Sequence, residues 1–270
     1  MNYDHYTTLL IEKQSGIATV TLNIPDKLNT IGMSNLGMHK ELEDIFVQLD
    51  ADPEVNVVVV TGAGKAFSAG GDIRDFVELH GTDTGWDQVR SIAGVAKRLV
   101  ENIINCTKPT VAAVNGDAIG LGATIALCCD ISVMSETARI GDTHVKVGLV
   151  TGDGGALIWP LILGPNRAKD FLMRGLLVNG KKAEQMGLVN YCAPAEEVME
   201  RSMEIARDLN GLPPLAVRWT KVSVNKGLKE QFNLVMDAAI AYEMLCMVSR
   251  DHKEASAAFL EKRKPKFECR

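Results

Sequence analysis

Two glycine-rich segments carry the backbone groups best suited to bind a ligand. They are residues 67–73, with the sequence FSAGGDI, and residues 115–122, with the sequence NGDAIGLG. Glycine lets a backbone approach a ligand closely and turn its N–H groups toward it. Three interpretations are open: tight turns without a ligand, a phosphate site, or two amides that converge on a developing oxyanion. The phosphate interpretation lacks support, because neither the G-x-x-x-x-G-K-S/T motif nor the G-x-G-x-x-G motif is present.

His144 and Asp153 are the side chains whose types suit proton transfer, and they flank a loop that contains Gly148. A histidine titrates near neutral pH and acts as a general base once a carboxylate orients its ring. A hydrogen-bonded structural histidine and a turn aspartate are the alternatives for the two residues taken singly. The residue types therefore permit acid–base chemistry at this loop without requiring it.

Alternating strands and helices must position these segments. Apolar and β-branched runs predict strands at residues 9–12, 17–22, 55–61, 110–115 and 130–134. Apolar residues at helical spacing predict a helix over residues 33–49, with Ser34 as its N-cap. This alternation predicts right-handed crossover units around a largely parallel sheet. Ligands gather at the carboxyl ends of such strands, where the glycine-rich segments fall.

Helices dominate the last third of the chain. They are predicted at residues 168–174, 181–186, 195–209, 214–226 and 228–248. We therefore divide the chain into an α/β core over residues 1–195 and a helical region over residues 196–270. The apolar face of the segment 228–248 predicts an interface between subunits, because apolar patches of that extent rarely face water.

Composition excludes several classes of function. The net charge of -5 argues against a nucleic-acid-binding surface, although Lys262, Arg263, Lys264 and Lys266 form a local basic cluster. Six cysteines without metal-binding spacing predict reduced thiols and no metal site. The chain shows no signal peptide and no apolar run long enough to span a bilayer, so we expect a cytoplasmic protein without membrane contact. Four histidines without partner motifs are expected at the surface: His5, His39, His80 and His252.

Six segments in order resemble the enoyl-CoA hydratase/isomerase (crotonase) superfamily over nearly the whole chain. They are residues 25–30, 67–73, 115–122 followed by Cys129 and Asp130, 148–155, 183–189 and 259–267. The resemblance implies a crotonase-like α/β spiral of ββα units, with two roughly perpendicular sheets and a C-terminal helical trimerisation region. It also implies an acyl-CoA thioester as substrate, no separate cofactor, and a homotrimer or dimer of trimers.

The resemblance assigns roles to individual positions. The N–H groups of Gly71 and Leu121 correspond to the oxyanion hole that holds the thioester oxygen. The positions that correspond to coenzyme A and substrate contacts are Lys27, Ala69, Asp72, Ile73 and Gly120. The basic cluster near the C-terminus corresponds to a region where the family meets the adenosine phosphates.

The chain departs from the hydratases of this superfamily at both catalytic glutamates. Thr124 and His144 stand at those two positions. Around residues 144–160 the chain is instead similar to the superfamily's β-diketone hydrolases, which cleave carbon–carbon bonds and share a histidine there. His144 and Asp153 are therefore the predicted catalytic pair.

Two further positions have an expected role and an alternative. Glu243 matches a polar active-site position of the β-diketone hydrolases, with a surface or interface charge as its alternative. Trp86 either lines the acyl pocket or anchors its own segment. Three functions remain open at this point: an acyl-CoA hydratase, isomerase or ring-opening hydrolase, a β-diketone hydrolase independent of coenzyme A, and a catalytically silent subunit that binds coenzyme A.

Overall fold

A six-stranded sheet forms the centre of the computed structural model, which describes residues 1–32, 37–79 and 85–269. Its order is β1-β2-β3-β5-β7-β10, with bounds Leu9–Gln14, Ile17–Leu22, Val57–Gly62, Thr110–Val114, Ile131–Ser135 and Tyr191–Ala193. β1 and β2 are antiparallel and the remaining pairs are parallel. Every residue of β3 and β5 is buried, as their valine-rich sequences predict for strands covered on both faces.

A second, four-stranded sheet places the glycine-rich segments next to each other. Its order is β4-β6-β8-β9, with bounds Ala66–Ser68, Asp117–Ile119, Arg139–Gly141 and Val178–Asn179. β4, β6 and β8 run parallel to one another. Their carboxyl ends therefore lie at one edge of the sheet, and the residues that follow each strand meet there. These strands are too short for their periodicity to be visible in the sequence.

Helices cover both faces of the large sheet. Their bounds are α1 Gly37–Ala51, α2 Ile73–Leu79, α3 Gly85–Asn105, α4 Leu121–Cys128, α5 Gly155–Leu163, α6 Pro165–Arg174, α7 Gly180–Gln185, α8 Val198–Asn210, α9 Pro214–Met247 and α10 Arg250–Leu260. α8 packs on β3, β5 and β7, while α3 packs between α1 and α9. No single described helix has the length and apolar character to cross a bilayer, although α9 and α10 together, across a bend of 69°, meet those criteria.

The structure differs from the predicted helices in two ways. The separate helices expected at 214–226 and 228–248 are one helix, α9, which runs through Gly227. A helical glycine costs only about 1 kcal/mol, which the packing of a long helix on α3 and α5 offsets. α5 was not predicted, because it is apolar throughout and contains Pro160, so it shows no helical period. The expected N-cap, Ser34, lies outside the described residues, and the division at residue 195 remains a prediction.

Candidate active site

The two glycine-rich turns present two N–H groups to one cavity. In each turn one amide already has a partner: Gly70 N–H donates to the Ser68 hydroxyl of its own turn (3.2 Å), and Gly120 N–H donates to the Gly141 carbonyl at the end of β8 (3.0 Å). The next N–H groups, those of Gly71 and Leu121, find no acceptor among the described residues. Both residues border the same cavity. The turns are therefore held by one amide each and leave the following amide available to a ligand.

Gly70 brings the two turns into direct contact. Its φ angle is +77°, in the left-handed region that favours glycine. A Cβ atom at this position would lie 2.5 Å from the Ile119 carbonyl oxygen and 3.6 Å from the Leu121 nitrogen. Any side chain would therefore push the turns apart and change the separation of the two free amides.

A carboxylate that the sequence did not single out orients His144. Asp142 directly follows β8, and its Oδ1 accepts from His144 Nδ1 (2.7 Å) and from the His144 backbone N–H (3.1 Å). The Thr151 hydroxyl donates to the other oxygen of Asp142. Asp142 is 2% exposed, so these contacts replace solvent almost completely. The sequence held one signal for this contact: an aspartate that follows a strand and precedes a histidine by two residues.

Asp153 and Glu243 approach His144 from its other ring nitrogen. His144 Nε2 lies 3.2 Å from Asp153 Oδ2 and 4.0 Å from Glu243 Oε1. Both carboxyl groups are buried. Glu243 lies on α9. Gly152 lets the loop that contains Asp153 pack closely against the Glu243 side chain, because a Cβ at Gly152 would be 2.5 Å from Glu243 Oε2. The alternative of a surface charge for Glu243 is therefore wrong.

The ionisation of this cluster follows from its burial and its close charges. Burial alone lowers the pKa of His144, but the charges of Asp142 and Asp153 outweigh it and hold that pKa well above its ordinary value. Burial raises the pKa of Asp142, but His144 and three hydrogen bonds lower it further than burial raises it. Burial, reinforced by the charge of Asp153, raises the pKa of Glu243 to about 8. At neutral pH the cluster therefore contains an imidazolium, an ionised Asp142 and a protonated Glu243.

The pocket that these groups face occupies about 470 Å³, counted together with the open solvent at its mouth. Gly71, Leu121, His144, Asp153 and Glu243 border it, together with His39. The rest of its wall is mostly apolar and comes from α2, α3 and α9: Phe76, Ile92, Ala93, Ala96, Ile240, Met244 and Met247. A pocket with a few convergent polar groups in an apolar wall is typical of a small-molecule site.

A second pocket of about 380 Å³ adjoins the first, since both are bordered by Gly71, Phe76 and His144. Three of the positions predicted to contact substrate line it: Ala69, Ile73 and Gly120. Asp72, a fourth such position, does not line this pocket. Its Oδ1 accepts a hydrogen bond from the Arg74 N–H (3.0 Å) at the start of α2.

The exposed Lys27 lies on an anchored turn. It belongs to the short helical turn Pro25–Lys27, which is followed by Leu28. The Leu28 carbonyl accepts from Ala69 N–H (3.0 Å), so the turn is attached to the first glycine-rich segment. Lys27 therefore adjoins a residue that is hydrogen-bonded to Ala69, which lines the second pocket.

Several sequence expectations about polar residues need correction or fall outside the description. His39 and His252 were expected at the surface, but they are 3% and 1% exposed. Their burial follows from packing on neighbouring helices, which a lone histidine in a sequence does not reveal. Trp86 lies in α3, but its side chain is outside the described part of the structure, as is all of His80. Thr124 is fully buried on α4 and does not border either pocket.

Asp142, His144 and Asp153 each offer a ligand atom, and these atoms lie within 4.8 Å of one another. A metal ion bound to a histidine uses one ring nitrogen. Here the carboxylates approach different ring nitrogens at hydrogen-bonding distances of 2.7 and 3.2 Å. A single ion at one nitrogen therefore cannot replace both contacts, and the arrangement suits proton transfer along N–H···O bonds.

The architecture is that of the crotonase-type enzymes. A crystal structure of an enoyl-CoA hydratase/isomerase from Mycobacterium paratuberculosis has a TM-score of 0.88 at 33% identity, covering 94% of this chain and 99% of that chain. The chain belongs to the enoyl-CoA hydratase/isomerase family, whose sequence model matches residues 12–270. The predicted family and fold class are thereby confirmed, and the protein is an enzyme of this type.

Curated relatives match over nearly their whole length. A crotonyl-CoA hydratase from Syntrophomonas wolfei is 32% identical over 263 residues, covering 97% of this chain and 98% of the relative. A short-chain-enoyl-CoA hydratase from Clostridium acetobutylicum is 33% identical over 261 residues, covering 95% of each. The similarity therefore extends through both the α/β core and the C-terminal helices.

Proposed function

We propose that the enzyme acts on a coenzyme A thioester and holds its carbonyl oxygen between the N–H groups of Gly71 and Leu121. One observation carries this proposal: two amides without acceptors among the described residues border the same cavity as His144 and Asp153. Leu121 opens α4 and Gly71 shortly precedes α2, where helix backbones carry partial positive charge. Such donors stabilise the oxygen as it becomes an enolate or a tetrahedral oxyanion.

The adjoining pocket provides the path for the rest of the coenzyme. Ala69, Ile73 and Gly120 line it, and it meets the reaction cavity at Gly71. We place the pantetheine arm there, with the adenosine phosphates near the exposed Lys27. The hydratases named among the relatives act on enoyl-CoA substrates, which supports this placement.

The ionisation of the cluster favours a particular direction of proton transfer. His144 faces a carboxylate at each ring nitrogen, so its resting form carries both protons and acts as a donor. We therefore assign proton donation to His144, for which the sequence had suggested the role of base. Asp153 is assigned as acceptor, because it borders the cavity and its Oδ1 has no partner among the described residues.

In the proposed step Asp153 removes a proton from the α-carbon of the thioester. The C–H electron pair moves toward the carbonyl, and the two amides hold the resulting enolate oxygen. His144 then returns a proton to carbon. Return to a different carbon shifts a double bond, as in an isomerase, whereas hydratases of the family use two glutamates that Thr124 and His144 replace.

Hydrolysis of a β-diketone without coenzyme A is the second candidate. The observation that favours it is the Asp142–His144 contact, since a carboxylate-oriented histidine can activate water after it has lost its proton. In that reaction water adds to one ketone and the carbon–carbon bond breaks toward the second carbonyl, which leaves as an enolate. The free amides and the acid–base cluster would then serve a ketone oxygen in place of a thioester oxygen.

A substrate panel in deuterated water separates these functions. The proposal predicts that a 3-enoyl-CoA or a 3-oxoacyl-CoA, each with an sp³ α-carbon, binds and exchanges its α-hydrogen, whereas a cyclic β-diketone is not consumed. Consumption of the diketone without any coenzyme A binding overturns the proposal in favour of the second candidate. Binding of thioesters without exchange or turnover identifies a catalytically silent subunit.

We also propose that α9 joins copies of this chain in a trimer or a dimer of trimers. Large apolar side chains are exposed along its length, among them Trp219, Leu234 and Leu245 at 63%, 73% and 62%. Exposed apolar surface of this extent favours association. Sedimentation at micromolar concentration is expected to give a trimer or hexamer, and a monodisperse monomer contradicts the proposal.

A further inference from the structure

Ser68 is a fully buried serine at the end of β4, two residues before Gly70. It borders neither pocket, and the proton-transfer steps proposed above do not use it. Burial of a hydroxyl group costs free energy unless the group is hydrogen-bonded, and an alanine would fill nearly the same space without that cost. The partners of this hydroxyl therefore indicate what it does for the neighbouring amide of Gly71.

A hydrogen bond on the far side of one peptide aims the Gly71 N–H group. The Gly70 carbonyl belongs to the same peptide as this N–H, and it accepts from the Ile31 N–H (2.8 Å). A trans peptide is planar, so its C=O and N–H groups point in opposite directions. The Ile31 contact therefore fixes the direction of the Gly71 N–H, and it polarises the peptide so that this N–H is a stronger donor.

The Leu121 N–H, by contrast, is aimed by its own helix. The Gly120 carbonyl of the same peptide accepts from the Thr124 N–H (3.0 Å) in the first turn of α4. Gly71 precedes α2, and the partner of its peptide comes from a different segment, residues 24–31. The direction of one amide is thus set locally, whereas that of the other depends on where this segment lies.

Asn29 holds the segment 24–31 against β4 and the turn before it. Its side chain donates to the carbonyls of Ala63 and Ala66 (2.9 Å each) and accepts from the Ile24 N–H (2.9 Å). Asn29 is fully buried and has φ +52°, in the left-handed region that asparagine adopts more readily than most residues. The segment is therefore anchored two residues before Ile31.

The Ser68 hydroxyl joins this anchor to the glycine-rich turn. It donates to the Asn29 carbonyl (2.7 Å) and accepts from the Gly70 N–H (3.2 Å). Gly70 is thus held at its N–H by Ser68 and at its carbonyl by Ile31. Since a glycine rotates more freely than any other residue, these two contacts fix the rotation that directs the Gly71 N–H.

We propose that Ser68 is a positioning residue for the oxyanion hole, because its hydroxyl fixes Gly70 and, through Gly70, the direction of the Gly71 N–H. This inference rests on the proposed thioester function and adds a side chain to a pair of backbone donors. Without the hydroxyl the Gly70 N–H loses its partner, and the turn is expected to rotate. Rotation turns the Gly71 N–H away from the thioester oxygen, and small displacements of a catalytic group slow a reaction strongly.

The carbonyl stretch of bound acetyl-CoA, isotope-labelled at the carbonyl carbon, reports on the two amides directly. Donors at the oxygen weaken the C=O bond, so difference infrared spectra of the wild-type enzyme should show a lower frequency than free acetyl-CoA. In Ser68→Ala this shift is expected to be about half as large, since one of two donors is misdirected. Calorimetric titration is expected to give an affinity within about threefold of the wild-type value, because most contacts of the ligand are unchanged.

Steady-state kinetics give a second readout, the exchange of the α-hydrogen of 3-hexenoyl-CoA in deuterated water. In Ser68→Ala we expect kcat to fall about tenfold or more while KM changes little, because the lost interaction is strongest in the transition state. The pH dependence of kcat should keep its shape, since no titrating group is removed.

Ser132→Ala is the matched control. The Ser132 hydroxyl is also buried, donates to the Asn190 side chain (3.1 Å) and accepts from the Asn190 N–H (3.2 Å), so the same kinds of contact are lost. Ser132 lies on β7 in the large sheet and borders neither pocket. Both variants are expected to lower the melting temperature by a similar amount, about 2 to 4 °C. Only Ser68→Ala should change the carbonyl stretch and kcat.

The possible outcomes separate this inference from the proposed function. If Ser68→Ala does not fold, Ser68→Cys serves for the same measurements, with a reduced carbonyl shift and kcat expected because a thiol is a weak donor and acceptor. A full wild-type shift in Ser68→Ala, or in Ser68→Cys if only that variant folds, overturns the inference and leaves the thioester function intact. Equal losses of kcat in Ser68→Ala and Ser132→Ala also overturn it, since general destabilisation then explains both. If the wild-type enzyme does not bind acetyl-CoA or does not shift its carbonyl stretch, the proposed function fails and the inference fails with it.

Discussion

The two sides of the cavity are built in different ways. The amide side consists of backbone groups in two turns, each following a strand of the small sheet, and Gly70 sets their separation. The acid–base side consists of side chains from the loop after β8, the loop before α5, and α9. The amide side therefore depends on one local sheet, whereas the acid–base side depends on how distant elements pack.

This difference predicts how the two sides diverge in function. Backbone amides in a crossover sheet serve any reaction that generates an oxyanion, and they do not specify what happens next. The choice between hydration, isomerisation and hydrolysis then lies with the side chains opposite. Substitutions on the two sides should accordingly produce different kinetic signatures.

The largest expected effect is on the acid–base side. His144→Ala and Asp153→Asn are each expected to lower kcat by about 10²- to 10⁴-fold, because each removes a proton-transfer group. Thioester affinity, measured by calorimetry, should change little. The double variant should lose much less than the product of the two losses, because the groups act as a unit.

Asp170→Asn is the matched control for Asp153→Asn, because it removes the charge of an aspartate outside the cavity. Asp170→Asn changes an exposed aspartate that pairs with Arg174 on α6, and it should leave kcat unchanged. Wild-type kcat in both His144→Ala and Asp153→Asn would show that the pair is structural. Glu243 and the Trp86 segment would then be the next candidates.

The amide side is tested by Gly70→Ala. The new Cβ would lie 2.5 Å from the Ile119 carbonyl and displace one turn from the other, so we expect kcat/KM to fall by about 10²-fold. The pH dependence of the remaining activity should be unchanged, because no titrating group is altered. Steady-state kinetics across a pH series checks both points.

Gly187→Ala is the control for the strain of a left-handed residue. Gly187 has φ +75°, close to the +77° of Gly70, but a Cβ there meets nothing within 4 Å. It should cost about 1 kcal/mol of stability and leave kcat/KM intact. If both alanine variants lose activity equally, general destabilisation and not the amide geometry is responsible.

The contrast between the two sides of the cavity also explains which parts of the molecule could be predicted from the sequence. The large sheet was visible in valine-rich runs such as β3, and the amide turns were visible in FSAGGDI and NGDAIGLG, since both signals are local. The short strands β4, β6 and β8 that bring those turns together were not visible, because three residues show no periodicity. The resemblance to a family supplied that arrangement.

The acid–base side was predictable only in part. His144 and Asp153 were found through their positions in a family pattern. Asp142 was missed although it lies two residues from His144, because a local aspartate–histidine contact is common in turns without function. His39 was assigned to the surface, since nothing local shows that α1 turns it toward residues more than a hundred positions away.

A smaller effect is expected for Asp142→Asn, which alters a positioning residue. Loss of the Asp142 charge lowers the pKa of His144, so the imidazolium is present only to a lower pH than in the wild-type enzyme. We expect kcat to fall about tenfold or more, and its decline with rising pH to begin at a lower pH. Thr151→Val, which removes only the hydroxyl that donates to Asp142 and leaves the carboxylate charge in place, should shift the profile much less. An unshifted profile in Asp142→Asn would remove Asp142 from the mechanism.

The smallest effect on catalysis is expected for Glu243→Gln, which tests the ionisation of the acid–base side through stability. Burial and the Asp153 charge raise the pKa of Glu243 to about 8 in the folded state, whereas an unfolded glutamate titrates near ~4.3. Between those values the folded protein binds a proton that the unfolded chain has released. The wild-type protein therefore loses stability as pH rises through this window, and glutamine does not titrate.

The two proteins should accordingly be equally stable at pH 5 and differ at pH 9, where Glu243→Gln is expected to be more stable by about 2 to 4 kcal/mol. Urea unfolding at the two pH values measures the difference. Glu230→Gln, at an exposed position on the same helix, supplies the control and should match the wild-type protein at both. Equal stability of Glu243→Gln and the wild-type protein at pH 9 would mean that Glu243 is already ionised at neutral pH. The cavity would then hold one more negative charge opposite the oxyanion hole, which would oppose formation of an enolate there and weaken the assignment of the amide side as well.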